Sequence, residues 1–213
     1  MTLRYPALLA ALVGAPLIAA TAHAAETTDK GFTASGNVEI IGRFTDAQPS
    51  GIAALPDGRL VLGFPRSVKD HSGPRLATYA DGHLTPFPSA ETQQNFVSPL
   101  GMTVDAKGHF WMLDEGMLAG KGTITGAQKL FEIDPTTNKV LNVLTLSAPT
   151  LLPDSHVNDV RIDLTHGKSG TAFITDTSTS THPALIVVDL ASGHQRRILA
   201  NTKPVMPENG FVA

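Results

Sequence analysis

The chain contains no cysteine. No disulfide can staple it, and thiol catalysis, iron-sulfur clusters and thiolate zinc sites are excluded, so the fold must rest on burial and backbone pairing. There is no run of Lys or Arg and no basic amphipathic helix. That leaves no electrostatic footprint for nucleic acid or for a membrane surface, and points to a small or neutral partner. No segment holds a sustained helical period, and no segment carries about 18 uninterrupted apolar residues of the kind a membrane span needs. A Gly-x-Ser-x-Gly elbow, a phosphate-cradling loop and a dinucleotide fingerprint are all absent, which disfavours covalent hydrolysis and nucleotide chemistry.

What is present starts with an export pattern. Arg4 precedes an apolar run over residues 7–20, broken by Gly14 and Pro16, and Ala22-His23-Ala24 is the small-x-small pattern that a signal peptidase cuts after. The expectation is a signal peptide over residues 1–24, a flexible segment over 25–36, and a secreted or periplasmic protein. Cleavage removes one Arg and no acid, making the formal net charge of −3 one unit more negative.

Three segments then share one grammar: an apolar stretch, a tight turn, a second strand, a loop and a hairpin. The first reads GIAALPDGRLVLGF and RLATYADGHLTPF, the second GMTVDAKGHFWMLD and KLFEIDPTTNKVLNVLTL, the third NDVRIDLTHGKSGTAFITD and ALIVVDLASGHQRRIL. Pro56-Asp57-Gly58, Asp81-Gly82, Ala106-Lys107-Gly108, Asp134-Pro135-Thr136 and Ser192-Gly193 sit where the chain must reverse. Each unit supplies four short strands, the content of one propeller blade. The fold class is therefore all-β: a β-propeller of four-stranded blades at about 50–87, 99–146 and 157–199, about half of a six-bladed ring. An orphan strand is expected at 38–44. A half ring leaves sheet faces unpartnered, so the sequence reads as a partial one, with self-association as the alternative if the half ring is real.

In a propeller the start of a blade's first strand and the end of its second lie at the same channel mouth. This gathers Arg66 from the first blade, Asp114 and Glu115 from the second, and His156, Asn158, Asp159 and Asp176 from the third. Such a set can hold a hard divalent cation, Ca²⁺ or another, through oxygen ligands. It can equally bind a small amine or move protons. Each member also has a plainer reading: Asn158-Asp159 as an Asx turn, Asp114-Glu115 as a solvated strand end, Asp176 as a cap on its own turn. The other histidines sit in or beside turns, as surface groups, and Phe110 and Trp111 read as packing between blades.

SPLGMTVDAKGHFWMLDEG from Ser98, VNDVRID from Val157 and TAFITDTSTSTHPALIVVDLASGHQRRIL from Thr171 resemble the yellow/major royal jelly protein family. The resemblance implies a secreted six-bladed propeller, with dopachrome conversion in some members and small-amine binding at the channel mouth in others. As a tautomerase of catechol-derived compounds, the chain would draw its base from Asp159, Asp114 or Glu115. Asn158 would donate to the enolate oxygen, and His156, Asp176 and Arg66 would contact the ligand. HVNDVRID and GMTVDAKGHFW are more loosely similar to gluconolactonase/regucalcin-like propellers. That likeness implies a lactone hydrolase using a divalent metal, with Asn158 as the ligand-type position. A binding protein without turnover is the third reading.

Overall fold

The computed structural model describes residues 39–178 and 182–208. The expected signal peptide and the segment over 25–36 lie outside the described residues. The body of the chain is all-β, with two short 3-10 turns at Glu91–Asn95 and Lys203–Val205.

Blade 1 is β1 (Gly51–Ala54), β2 (Leu60–Gly63), β3 (Leu76–Ala80) and β4 (His83–Pro86), antiparallel in that order. Blade 2 is β5 (Pro99–Val104), β6 (Phe110–Asp114), β9 (Lys129–Asp134) and β10 (Lys139–Thr145). Between β6 and β9 the chain makes a small hairpin of β7 (Met117–Leu118) and β8 (Gly122–Thr123). Blade 3 is β11 (Val157–Asp163), β12 (Thr171–Asp176), β13 (Ala184–Asp189) and β14 (Gln195–Ile198). Each repeat of the sequence is thus one four-stranded sheet; among the described residues the blades form no closed ring.

Local chemistry sets the turns. Leu55 donates to the Arg59 carbonyl while Asp57 Oδ1 accepts from Arg59 N, and Gly58 takes φ +88°, which a residue with a Cβ rarely adopts. Asp105 repeats the device in blade 2, with Oδ1 accepting from Lys107 N and His109 N and Gly108 at φ +84°.

Alternation along the strands sends one face of each sheet to each neighbour. Val61, Leu76 and Phe87 of blade 1 meet Met102, Phe110, Met112, Phe131 and Ile133 of blade 2. The opposite face of blade 2, with Trp111, Leu113 and Leu130, meets Val160, Ala172, Ile174, Ile186 and Val188 of blade 3. Each of these larger side chains contributes about 1.5–3 kcal/mol by burial, so Phe110 and Trp111 do pack between blades.

The innermost strands β1, β5 and β11 lie side by side. Small residues permit this: a Cβ on Gly51 would stand 2.3 Å from the Leu100 carbonyl oxygen, and one on Gly101 would stand 2.6 Å from that of Asn158. In β5 the register shifts between Pro99 and Met102, and in β11 between Val157 and Val160, whereas β1 pairs with β2 without a bulge.

The orphan strand expected at 38–44 is not formed over its described part. Residues 39–44 enter no ladder. Phe44 lies instead against the apolar face of blade 1 remote from blade 2, edge-on to Phe64 and Tyr79 at 5.6 and 5.4 Å, and Tyr79 Oη donates to the Ile41 carbonyl at 2.6 Å, while Ile40 and Ile41 stay exposed.

Candidate functional site

The mouth is the end where β5 and β11 begin and β6 and β12 finish. Antiparallel pairing sets Pro99 opposite Asp114 and Val157 opposite Asp176, and the bulges follow immediately. Blades 2 and 3 therefore end their second strands in the same way, on a buried aspartate facing the start of the first strand.

These two aspartates hold backbone. Asp114 accepts from the N–H groups of Val97 at 2.6 Å, Ser98 at 2.8 Å and Gly116 at 2.8 Å. Asp176 Oδ1 accepts from His156 N and Ser178 N, both at 2.9 Å, while Oδ2 takes Arg197 Nη1 at 2.6 Å. Burial drives the Asp114 pKa up, against the pull of its three N–H donors, with the neighbouring Glu115 charge adding to the rise. Each clamp ties the residue before the inner strand to the residue two beyond its own position. Blade 1 has Phe64 just beyond β2 and no such clamp.

Glu115 does something else. Its side chain is 1% exposed, yet both carboxylate oxygens meet side chains from different parts of the fold. Oε1 accepts from Ser98 Oγ at 2.6 Å and Oε2 from His156 Nε2 at 2.7 Å. Ser98 Oγ in turn accepts from the Arg66 backbone N–H at 2.7 Å. A chain of hydrogen bonds thus runs from blade 1 through Ser98 and Glu115 to blade 3. Because a carboxylate only accepts, Nε2 carries its proton toward Glu115 and the lone pair of neutral His156 lies on Nδ1, 3.3 Å from Thr177 Oγ1. The imidazole is 26% exposed. Its pKa is raised above 6.5, first by the hydrogen bond to Glu115, against burial, and further by the charges of Glu115 and Asp176. Serine donates to the carboxylate rather than to the histidine, so the order is not that of an activated serine nucleophile.

The remaining residues of the expected set separate from this relay. Asp159 is 44% exposed; its Oδ1 accepts from Val160 N and Arg161 Nη1. Asn158 has no side-chain partner among the described residues. With Ser50, Leu100, Met102, Asp159 and Arg161 it lines a cleft of about 270 Å³ between the inner strands. Arg66 turns its Nε to Asp70 Oδ1 at 2.6 Å. Glu115 and His156 are thus brought into contact across 41 positions, Asp114 and Asp176 serve as clamps, and Asn158 with Asp159 belongs to the cleft. Ser98 is the member that sequence reasoning missed; its only signal was its place one residue before an inner strand.

A divalent metal at Asn158 does not fit these residues. Glu115 is engaged by Ser98 and His156, Asp114 by three N–H groups and Asp176 by Arg197, which leaves Asp159, shared with Arg161, as the carboxylate that lines the cleft with Asn158 among the described residues. Among the described residues, Asp105, His109 and Glu132 do bring ligand-type atoms within 4.8 Å of one another. They lie at the opposite end of blade 2, where Asp105 also accepts Trp111 Nε1 at 2.9 Å and His109 Nδ1 meets Glu132 Oε1 at 2.8 Å.

No helix among the described residues is long and apolar enough to cross a membrane. No curated protein matches the chain. A family model described as major royal jelly protein matches residues 97–211, more than half of the 213 residues, and takes in blades 2 and 3 with both aspartate clamps and the Glu115–His156 pair. The chain therefore belongs to the major royal jelly protein family.

Proposed function

We propose that the channel mouth binds a small organic ligand and acts on it as a tautomerase of catechol-derived compounds, with His156 as the base. The observation that carries this reading is the Glu115–His156 pair: a buried carboxylate orients an imidazole about a quarter exposed and compensates the charge it gains on protonation. Of the carboxylates expected to be the base, Asp114 is closed off by its backbone donors and Glu115 is buried behind His156, so both act by positioning. In the reaction a C–H proton in conjugation with a carbonyl passes to His156 Nδ1, the C–H electron pair moves into a new C=C bond, and the electron shift through the conjugated system places the carbonyl pair on oxygen. The carbonyl oxygen, now an enolate, takes the proton back as an enol hydroxyl, which regenerates neutral His156. Export, with cleavage after Ala24, is part of the same reading and rests on the N-terminal pattern.

The test is the decay of dopachrome with and without protein. The wild type is expected to accelerate it and His156→Ala to lose roughly 10²–10⁴-fold, the usual worth of general acid-base catalysis. Acceleration should survive a chelator and rise with pH through the His156 pKa, above 6.5. Saturable binding with no acceleration would leave a binding protein, and activity abolished by chelator would favour the lactonase-like reading.

A further inference from the structure

Away from the relay, the hairpin of β2 and β3 brings two arginines to one place. Arg66 follows β2 and Arg75 immediately precedes β3, and Gly63 pairs with Leu76, so both stand at the mouth end of blade 1. With His71, Pro74, Pro86 and Gln93 they line an open cleft of about 660 Å³. Both are held from behind. Arg66 uses Nε on Asp70, which leaves its two Nη groups without a hydrogen-bond partner among the described residues. Arg75 is fixed by Gln93, whose Oε1 accepts the Arg75 backbone N–H at 2.8 Å and whose carbonyl accepts Nη1; Nε and Nη2 of Arg75 have no such partner. Gln93 is itself locked, since its Nε2 donates to the Leu76 and Phe87 carbonyls at 3.0 and 2.8 Å.

Of the two guanidinium groups only that of Arg66 is paired with a carboxylate among the described residues. The Arg66 side chain is only 15% exposed. Burial, and after it the positive charge of Arg66, pushes the Arg75 pKa below the ordinary arginine value, while Asp114 and Asp70 pull the other way. Arginine does not shed its proton in proteins, so both groups stay cationic on the wall of an open cleft. A rigid fork of N–H groups matches planar or tetrahedral oxyanions, which can be gripped by two donors at once.

We propose that the cleft between Arg66 and Arg75 is an oxyanion-binding site, taking the carboxylate or phosphate group of a small ligand. It stands independently of the tautomerase reading, because it requires binding and no turnover. It is nevertheless one hydrogen bond away from the relay, since the Arg66 backbone N–H donates to Ser98 Oγ.

The experiment titrates the full chain with inorganic phosphate and, separately, with benzoate, by calorimetry and thermal unfolding at constant ionic strength set with chloride. Saturable binding of either anion is expected, weakened about tenfold or more in Arg75→Gln and in Arg66→Gln. Arg75→Lys, which keeps the charge but loses the fork, should bind more weakly than the wild type. Lys69→Gln, outside this cleft, should bind as the wild type does. Preference for phosphate assigns a phosphate ester as the ligand and preference for benzoate a carboxylate. Absence of saturable binding by either anion, or affinities that both Gln variants and Arg75→Lys leave unchanged, overturns the proposal.

Discussion

Glu115→Gln is the substitution that asks most of this structure. The carboxylate accepts from Ser98 Oγ and from His156 Nε2 inside a site where it is 1% exposed. A carboxamide keeps one acceptor and gains an NH₂, so serving Ser98 with its oxygen turns a donor toward the Nε2 proton, and His156 must change tautomer. Charge-assisted hydrogen bonds are worth about 1.5–3 kcal/mol each, and the neutral substitute restores about 1 kcal/mol of that. The expected net loss is about 1–3 kcal/mol. For a chain of this size each kcal/mol moves Tm by about 2–4 °C, giving a drop of roughly 2–12 °C.

The loss should also depend on pH. Folding raises the His156 pKa above 6.5, so the contribution is fully present below the unfolded pKa and fades as pH rises through the folded one. The gap between wild type and Glu115→Gln should therefore be widest near about pH 5.5 and narrowest near about pH 8.5. Thermal unfolding followed by circular dichroism at both pH values measures it. Equal melting temperatures at the acid pH, or a gap that widens toward alkaline pH, would refute the assignment of His156 and Glu115 as an ion pair.

Gly101→Ala should cost about 1–3 kcal/mol, because its Cβ would stand 2.6 Å from the Asn158 carbonyl oxygen and 2.7 Å from Asp159 Cα, both backbone atoms that yield only if blades 2 and 3 separate; urea unfolding reads this as a lower midpoint at unchanged slope. Arg197→Ala leaves Asp176 buried without its cation and should destabilise by about 3–5 kcal/mol, whereas adding Asp176→Asn to it should recover part of that loss, and a double-mutant cycle by chemical denaturation separates the two.

The fold was legible because its signals are local. The turn at Asp57-Gly58 and the clamp of Asp134 Oδ1 on Thr136 N depend on residues two apart, and short apolar runs such as FWMLD or ALIVVD, bounded by turn residues, mark strands buried on both faces without any knowledge of neighbours. The site was legible only as a district. Topology places Asp114, Glu115, His156 and Asp176 at one mouth, but whether a carboxylate turns to backbone or to an imidazole depends on a bulge of one residue in β5 and β11, which no local pattern announces. Ser98 lacked any charge to attract notice, and Gln93 sits in a 3-10 turn between blades. The segment at 39–44 reads as a strand by composition, but over its described residues it enters no ladder, and of its apolar side chains Phe44 is the one packed on blade 1.

Proteins made of stacked repeats are usually described as one-dimensional chains in which each unit senses only its immediate neighbours. The hydrogen bonds from Arg66 N through Ser98 and Glu115 to His156 link the first blade to the third by way of a single carboxylate in the second. That adds a next-nearest-neighbour coupling to an otherwise additive ladder of interfaces. Loosening the first blade would take a donor from Ser98 and loosening the third would take one from Glu115, so the two blades draw on the same short run of hydrogen bonds.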